Sequence, residues 1–280
     1  MRFSKAFTSM VGRHNRLTRK TRPVLGNHQK CWIWGRNLVL ETLRARRWPI
    51  IELHLARSAA DQEIQRTQQL ARELEISVNL QTSVYLQKLC GSRDHQGYVA
   101  KMGEYPYIPL SELLASEQPD TCPLFVVCDG IQDPFNLGAI LRTSEALRIT
   151  GVIIGRRNQV GVTSHVARSS AGAVNHLPIA RSDDLLEAAG LLQDRGIQLV
   201  GASEKAECPL YACDMSSATA VVIGNEGRGV QAGLWEQCDH RVGIPLTGQI
   251  SSLNAAVAAG IMLYEAHRQR QEHQPGRSRS

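Results

Sequence analysis

The sequence predicts an α/β protein in two units, a smaller amino-terminal one and a larger carboxyl-terminal one built on a mostly parallel sheet. Three observations predict this. Strand-like and helix-like segments alternate from Trp32 onward, a proline-containing stretch near 103–122 divides them, and the charge balance changes sign across that stretch. At 280 residues the chain exceeds the usual single-domain size. Apolar residues make up 42% and charged residues 21%, ordinary globular values. No apolar run approaches the ~20 residues that span a bilayer, so a soluble protein is expected.

Residues 1–30 contain eight Lys or Arg and no acid, and are read as a disordered basic arm. Their composition fits an organellar transit peptide as well as an RNA-contacting tail carrying Arg13, Arg16 and Arg19. In the first unit, 31–103, Leu38, Leu40 and Leu43 lie in a helix-like stretch after Asn37, and residues 50–56 follow as an apolar strand. Residues 61–75 read as a helix, 76–81 as a strand, 83–90 as a short helix and 96–102 as another strand. The connector, 104–122, holds Pro106, Pro109 and Pro119 around one short amphipathic helix at 111–117. In the second unit, 123–270, strands are expected at 124–130, 151–155, 197–203, 220–225 and 240–246. Helices are expected near 137–148, 163–171, 183–194, 231–237 and 252–270, and 271–280 is a polar tail. Alternation of this kind gives a largely parallel sheet covered on both faces, whose ligands sit at the carboxyl ends of the strands.

Residues 1–102 carry 18 Lys+Arg against 7 Asp+Glu, while 103–280 carry 14 against 19. The basic half suits a polyanion such as RNA, leaving chemistry to the other. Seven cysteines, without a Cys-x-x-Cys pair, and nine histidines without ligand spacing predict reduced thiols, no metal site and a cytoplasmic protein, or an organelle-matrix one if the arm is a transit peptide.

Three loops after strands stand out. After the first strand of the second unit, Asp133-Pro134 forces a turn, Asn136 is placed to cap a helix and Gly138 lets another backbone approach. Arg142 follows six residues after Asn136. Read as facing inward, it needs an anionic partner, and Glu145 lies three residues on. After the fourth strand, Gly224, Gly227 and Gly229 bracket Glu226 in an order that is neither a dinucleotide fingerprint nor a phosphate-binding loop. The glycines either make turns or admit a nucleoside-like ligand. After the fifth strand, Pro245 and Gly248 frame a loop and Ser251 or Ser252 can cap a helix rich in Ala and Gly. Asn254, in the first turn of so apolar a helix, calls for a specific partner.

Together these loops resemble the three signature motifs of the SpoU (TrmH-like) family of SPOUT RNA 2′-O-ribose methyltransferases. Asn136-Leu137-Gly138-Ala139-Ile140-Leu141-Arg142-Thr143 is similar to the first motif, and Gly224-Asn225-Glu226-Gly227-Arg228-Gly229 to the second. Ile244-Pro245-Leu246 with Ser252-Leu253-Asn254-Ala255-Ala256-Val257-Ala258 is similar to the third. The front unit resembles the substrate-binding domain of the ribosomal RNA guanosine-2′-O-methyltransferase subgroup, through Ile33-Trp34-Gly35-Arg36-Asn37 and His95-Gln96-Gly97. The resemblance implies an α/β-knot, with a deep trefoil knot at the carboxyl end and a smaller amino-terminal α/β substrate-binding domain. It also implies a homodimer whose interface includes the last helix. S-adenosylmethionine is then the methyl donor, held at Gly224, Ile244, Leu253 and Ser252. The catalytic set carried over is Arg142, Asn136, Glu226, Ser252 and Asn254, with Arg142 as base or as electrostatic activator. The implied substrate is a guanosine of large-subunit (23S-type) ribosomal RNA. The alternatives are a transfer-RNA 2′-O-methyltransferase and a non-catalytic RNA-binding protein of ribosome assembly.

Overall fold

The computed structural model describes residues 31–57, 61–115 and 122–272. The basic arm lies outside the described residues, as do 116–121 of the connector and 273–280. No helix among the described residues is long and apolar enough to cross a membrane.

The first unit is a four-stranded sheet in the order β1-β4-β2-β3. β1 (Trp32–Trp34) and β2 (Ile50–Ala56) run antiparallel to β4 (Tyr98–Met102), and β3 (Ser77–Gln81) runs parallel to β2. The expected helices form as α1 (Arg36–Ala45), α2 (Asp61–Glu73) and α3 (Ser83–Cys90). Thr82 starts α3 by accepting from the Tyr85 N–H, and Gly91, with φ of 69°, ends it. β1 is an addition to the sequence reading. Trp32, Ile33 and Trp34 are all buried, so this short strand shows no polar alternation. The segment His95-Gln96-Gly97 is a structural joint: His95 Nδ1 accepts from the Gly97 N–H at 3.0 Å, and Gln96 Oε1 accepts from the Arg36 N–H at 3.0 Å.

The second unit is a seven-stranded parallel sheet. Its order is β7 (Ile179–Ser182), β6 (Gly151–Gly155), β5 (Leu124–Asp129), β10 (Thr219–Gly224), β8 (Gln198–Ala202), β11 (His240–Gly243) and β9 (Cys208–Pro209). Every residue of β5 is buried, as a central parallel strand requires. Val126 and Cys128 pack with Leu137, Ile140 and Leu141 of α5 (Pro134–Ala146) and with Ala259, Met262 and Leu263 of α9 (Ala255–Glu272). Phe125 and Val127 point to the other face, toward α4 (Leu110–Ala115), α7 (Leu185–Gln193) and α8 (Ala232–Gln237). α6 (Ser164–Ser169) packs against α5, where a Cβ on Gly138 would fall 1.8 Å from Ser169 Oγ. The expected close approach at Gly138 is therefore present.

Several local expectations are corrected. The strand read at 240–246 stops at Gly243, and β7 and β9 were absent from the sequence reading. Asn136 does not cap α5: Asp133 Oδ1 accepts from the Phe135 N–H, with Pro134 at the first helical position, so Asn136 lies one turn inside. Neither Ser251 nor Ser252 caps α9. Asn254 does, its Oδ1 accepting from the Ala256 N–H at 2.9 Å and the Val257 N–H at 3.3 Å.

The two units share a continuous core that includes Val39, Leu43 and Trp48 from the first, and Leu177 and Val174 from the second. Polar contacts close the seam. The Tyr105 hydroxyl donates to the Val174 carbonyl at 2.7 Å, Arg47 to the Leu177 carbonyl at 2.7 Å, and Asn175 Nδ2 to Thr42 Oγ1 at 3.1 Å. Arg168 of α6 lies over the buried Trp34 ring, 4.1 Å from its centroid.

At the opposite end, Arg270 fastens the last helix to the sheet. Its guanidinium donates to the carbonyls of Met215, Cys122, Pro123 and Ser217. Arg270→Ala leaves these acceptors without their charged donor. It is expected to lower the free energy of unfolding by about 2 kcal/mol or more in urea titration, whereas substitution of the exposed Arg195 changes it by about 0.5 kcal/mol or less.

Candidate active site

Because the seven strands are parallel, the loops after β5, β8, β10 and β11 emerge at one edge of the sheet. There the segments after β8, β10 and β11 enclose a cavity of about 360 Å³, and the loop after β5 lies beside it, tied to the loop after β10 by the Asn136–Glu226 hydrogen bond. Gly224, Glu226, Ile244, Ser252 and Leu253, all singled out in the sequence, line the cavity together. Its walls combine apolar side chains such as Ile223, Ile244 and Leu253 with glycine-rich backbone and polar side chains such as Glu204, Lys205 and Ser252. A Cβ on Gly224 would fall 2.2 Å from the Gly229 carbonyl carbon and the Val230 nitrogen, so the 225–230 loop folds directly onto the end of β10. Only glycine permits that approach.

Asn225 shapes this loop. Its Oδ1 accepts from the Gly227 N–H at 2.9 Å and the Arg228 N–H at 3.3 Å, its Nδ2 donates to the Gly130 carbonyl at 2.8 Å, and its backbone pairs with Gly229 in both directions. Asp129, at the end of β5, accepts from the Gln231 N–H at 2.6 Å and fixes the loop's exit. The habit of Asn side chains of accepting from the backbone N–H two residues on, in a stretch rich in glycine, is the sequence signal that could have marked Asn225. Ala202 at the end of β8 and Ser203, Glu204 and Lys205 after it also line the cavity, as does Trp235. Sequence reading missed these. Ser-Glu-Lys after a strand looks like any polar loop.

Beside the cavity, three residues from the three loops form one hydrogen-bonded chain. Asn136 Nδ2 donates to Glu226 Oε1, and Asn254 Nδ2 donates to Asn136 Oδ1 at 2.9 Å. Glu226 can only accept when ionised, so it orients the Asn136 amide. That orientation turns Asn136 Oδ1 toward Asn254, whose own oxygen is then free to cap α9. The partner sought for Asn254 is thus Asn136 on one side and the helix start on the other.

Arg142 stands apart from this chain. It is exposed and its guanidinium has no partner among the described residues, which corrects both the inward-facing reading and the expected pairing with Glu145. Six residues of helix place it about 120° round α5 from Asn136. Arg228 reaches over the first loop, since a Cβ on Gly130 would fall 2.9 Å from its Nη2.

Burial pushes the Cys128 thiol up to about 12, and those of Cys213 and Cys238 to about 11, so these thiols stay protonated at neutral pH. Among the described residues no group of three or more His, Cys, Asp or Glu is placed to hold a metal ion.

Residues 123–264 match the model of the SpoU rRNA methylase family. The chain belongs to this family. Residues 32–108 match a second model, described as RNA 2′-O ribose methyltransferase substrate binding. Among curated proteins, this SpoU-family chain is 35% identical to the putative TrmH family tRNA/rRNA methyltransferase YacO of Bacillus subtilis, over 87% of this chain and 98% of that one. It is 34% identical to the 23S rRNA (guanosine-2′-O-)-methyltransferase RlmB of Shewanella oneidensis, over 85% of this chain and 97% of that one. Among solved structures it is similar to the SpoU methyltransferase AviRb of Streptomyces viridochromogenes in complex with AdoMet. The TM-score is 0.74 at 28% identity, covering 89% of this chain and 96% of that one. The fold is accordingly the SPOUT α/β-knot preceded by a smaller α/β unit.

The Asn136 chain yields a separable pair of substitutions. Asn254→Ala removes both the cap and the contact to Asn136, and is expected to lower stability by about 1 kcal/mol in urea titration. Asn254→Asp keeps the cap but sets a second acceptor against Asn136 Oδ1. Its stability is expected to stay within about 0.5 kcal/mol of wild type, while methyl transfer falls at least tenfold.

Proposed function

We propose that this SpoU-family protein is an S-adenosylmethionine-dependent RNA 2′-O-ribose methyltransferase acting on a guanosine of large-subunit ribosomal RNA. The observation that carries the reading is that the second and third motif loops line one cavity and the Glu226-Asn136-Asn254 chain ties the first motif to its side. The cavity suits an adenosine-containing donor. Gly224, Gly227 and Gly229 contribute backbone to its wall, and Ile244 and Leu253 offer apolar surface to a purine. The donor supplies a methyl group on a sulfonium, which needs only a well-placed oxygen nucleophile.

This chain's residues supply that placement. Holding a ribose hydroxyl at contact distance in line with the methyl accounts for much of the acceleration. Asn136, pinned from both sides, presents a fixed amide for the ribose. Ser252, on the cavity wall, offers a hydroxyl toward the same space. Arg142 acts as an electrostatic activator: a guanidinium stays charged, so it lowers the cost of the developing alkoxide or grips the neighbouring phosphate, and does not serve as base.

The same reading makes the protein a homodimer. α9 exposes Val257, Ile261 and Tyr264, which with Tyr211 and Pro245 line an apolar depression of about 470 Å³. Tyr264 is 62% exposed and Tyr211 70%, unusual for residues so grouped. A second copy laid on this face covers it, and brings the outward-facing Arg142 of one subunit toward the cavity of the other. Ribosomal RNA is preferred to transfer RNA because the front unit, matched to a substrate-binding model along its length, provides a dedicated surface for a large RNA. We place this activity in the cytoplasm.

The test is transfer of labelled methyl groups to transcripts of large-subunit ribosomal RNA and of transfer RNA. Transfer to the first with little to the second is expected; transfer to the second alone reassigns the substrate, and transfer to neither refutes the enzyme. Arg142→Ala is expected to lower turnover at least a hundredfold, with donor affinity by calorimetry within about twofold of wild type. Equal loss of both would remove Arg142 from the chemistry. In sedimentation velocity the wild type is expected to run as a dimer and Tyr264→Glu as a monomer.

A further inference from the structure

Phe135 sits at the rim of the candidate active site with no evident structural task. It occupies the second position of α5, between Pro134 and Asn136, and its side chain is 65% exposed. The helix start is already secured by Asp133 and Pro134, and the Phe135 N–H is engaged by Asp133 Oδ1 at 2.9 Å. Its ring makes no aromatic contact among the described residues. A single exposed phenyl carries no message by itself. Its place does. It adjoins the one residue that Glu226 and Asn254 hold in a fixed orientation, on the first turn of a rigid helix. Backbone capping leaves the ring little freedom beyond its two side-chain torsions.

We propose that Phe135 is the stacking platform for a nucleobase of the substrate RNA, at or next to the nucleotide whose ribose is methylated. The inference rests on the RNA methyltransferase reading above. RNA sites that undergo chemistry on one nucleotide are presented unstacked, and an unstacked base recovers part of its lost stacking on an aromatic face. A ring beside Asn136 offers that face where the attached ribose must lie to reach the cavity. Every base has a π-face, so the platform fixes the position of the nucleotide without choosing its identity. The exposed cation Arg228, reaching over the same loop, supplies a counter-charge for the adjoining phosphate.

The test uses the full chain with whichever transcript the wild type methylates, and compares Phe135→Ala, Phe135→Leu and Phe135→Trp. Both Ala and Leu are expected to lower kcat/KM for RNA about tenfold or more, chiefly through KM, while Trp keeps it within about threefold. Donor affinity by calorimetry and the sedimentation coefficient are expected to match wild type in all three. Full activity in Phe135→Leu would overturn the proposal, because Leu keeps the apolar bulk and loses only the aromatic face. A changed sedimentation coefficient or a matching loss of donor affinity would overturn it too, by assigning the ring to subunit contact or to the donor loops. Absence of transfer by the wild type to any RNA would instead refute the methyltransferase reading, and this proposal with it.

Discussion

The geometry of the site depends on how one carboxylate orients two amides. Glu226 accepts from Asn136, Asn136 accepts from Asn254, and Asn254 accepts from the first N–H groups of α9. Each link has a single sense, because an ionised carboxylate and a helix start cannot exchange donor and acceptor roles. The chain joins residues 90 and 118 positions apart in sequence. It therefore ties the end of β10, the start of α5 and the start of α9 to one another at the rim of the cavity. A disturbance at any of the three is felt at the other two. The parallel sheet beneath supplies the coarse placement, and these bonds supply the fine one.

Close backbone approach is the second requirement, and glycine meets it in two places. At Gly224 the loop of the second motif lies flat against the strand that precedes it. At Gly138 the helix of the first motif lies against α6, where Ser169 Oγ donates to the Pro134 carbonyl at 3.0 Å. The first contact shapes the cavity. The second sets the depth at which α5, and with it Asn136, rests on the sheet.

Most of the fold was legible because its strands are apolar and its helices punctuated. GVIIG and TAVVIG contain the residues that fill a buried parallel strand, and each became one, while IIELHLA became a central strand of the mixed front sheet. β7 escaped because half of IARS is polar, and β9 because two residues carry no period. The limits of the site reading have the same origin. The motif residues announced themselves by type, but hydrogen-bond roles depend on tertiary distance. Asn136 looked like a cap because Asn often is one, while the cap was Asp133, three residues earlier, and Asn254 took the role given to its serine neighbours. Glu204 and Lys205 could not be singled out at all, since only the sheet order places the end of β8 beside β10.

The seam between the units has its own consequence. Trp34 and Arg168 are stacked across it, Tyr105 and Arg47 bond to carbonyls on the far side, and the apolar cores run together. A continuous apolar core and polar ties of this kind oppose hinging. The front unit and the reaction rim then stand like the jaws of a set caliper, and an RNA that engages both must itself present the two surfaces at that separation. Recognition becomes a measurement of folded shape, made by the rigidity of the gauge as much as by the groups on its faces.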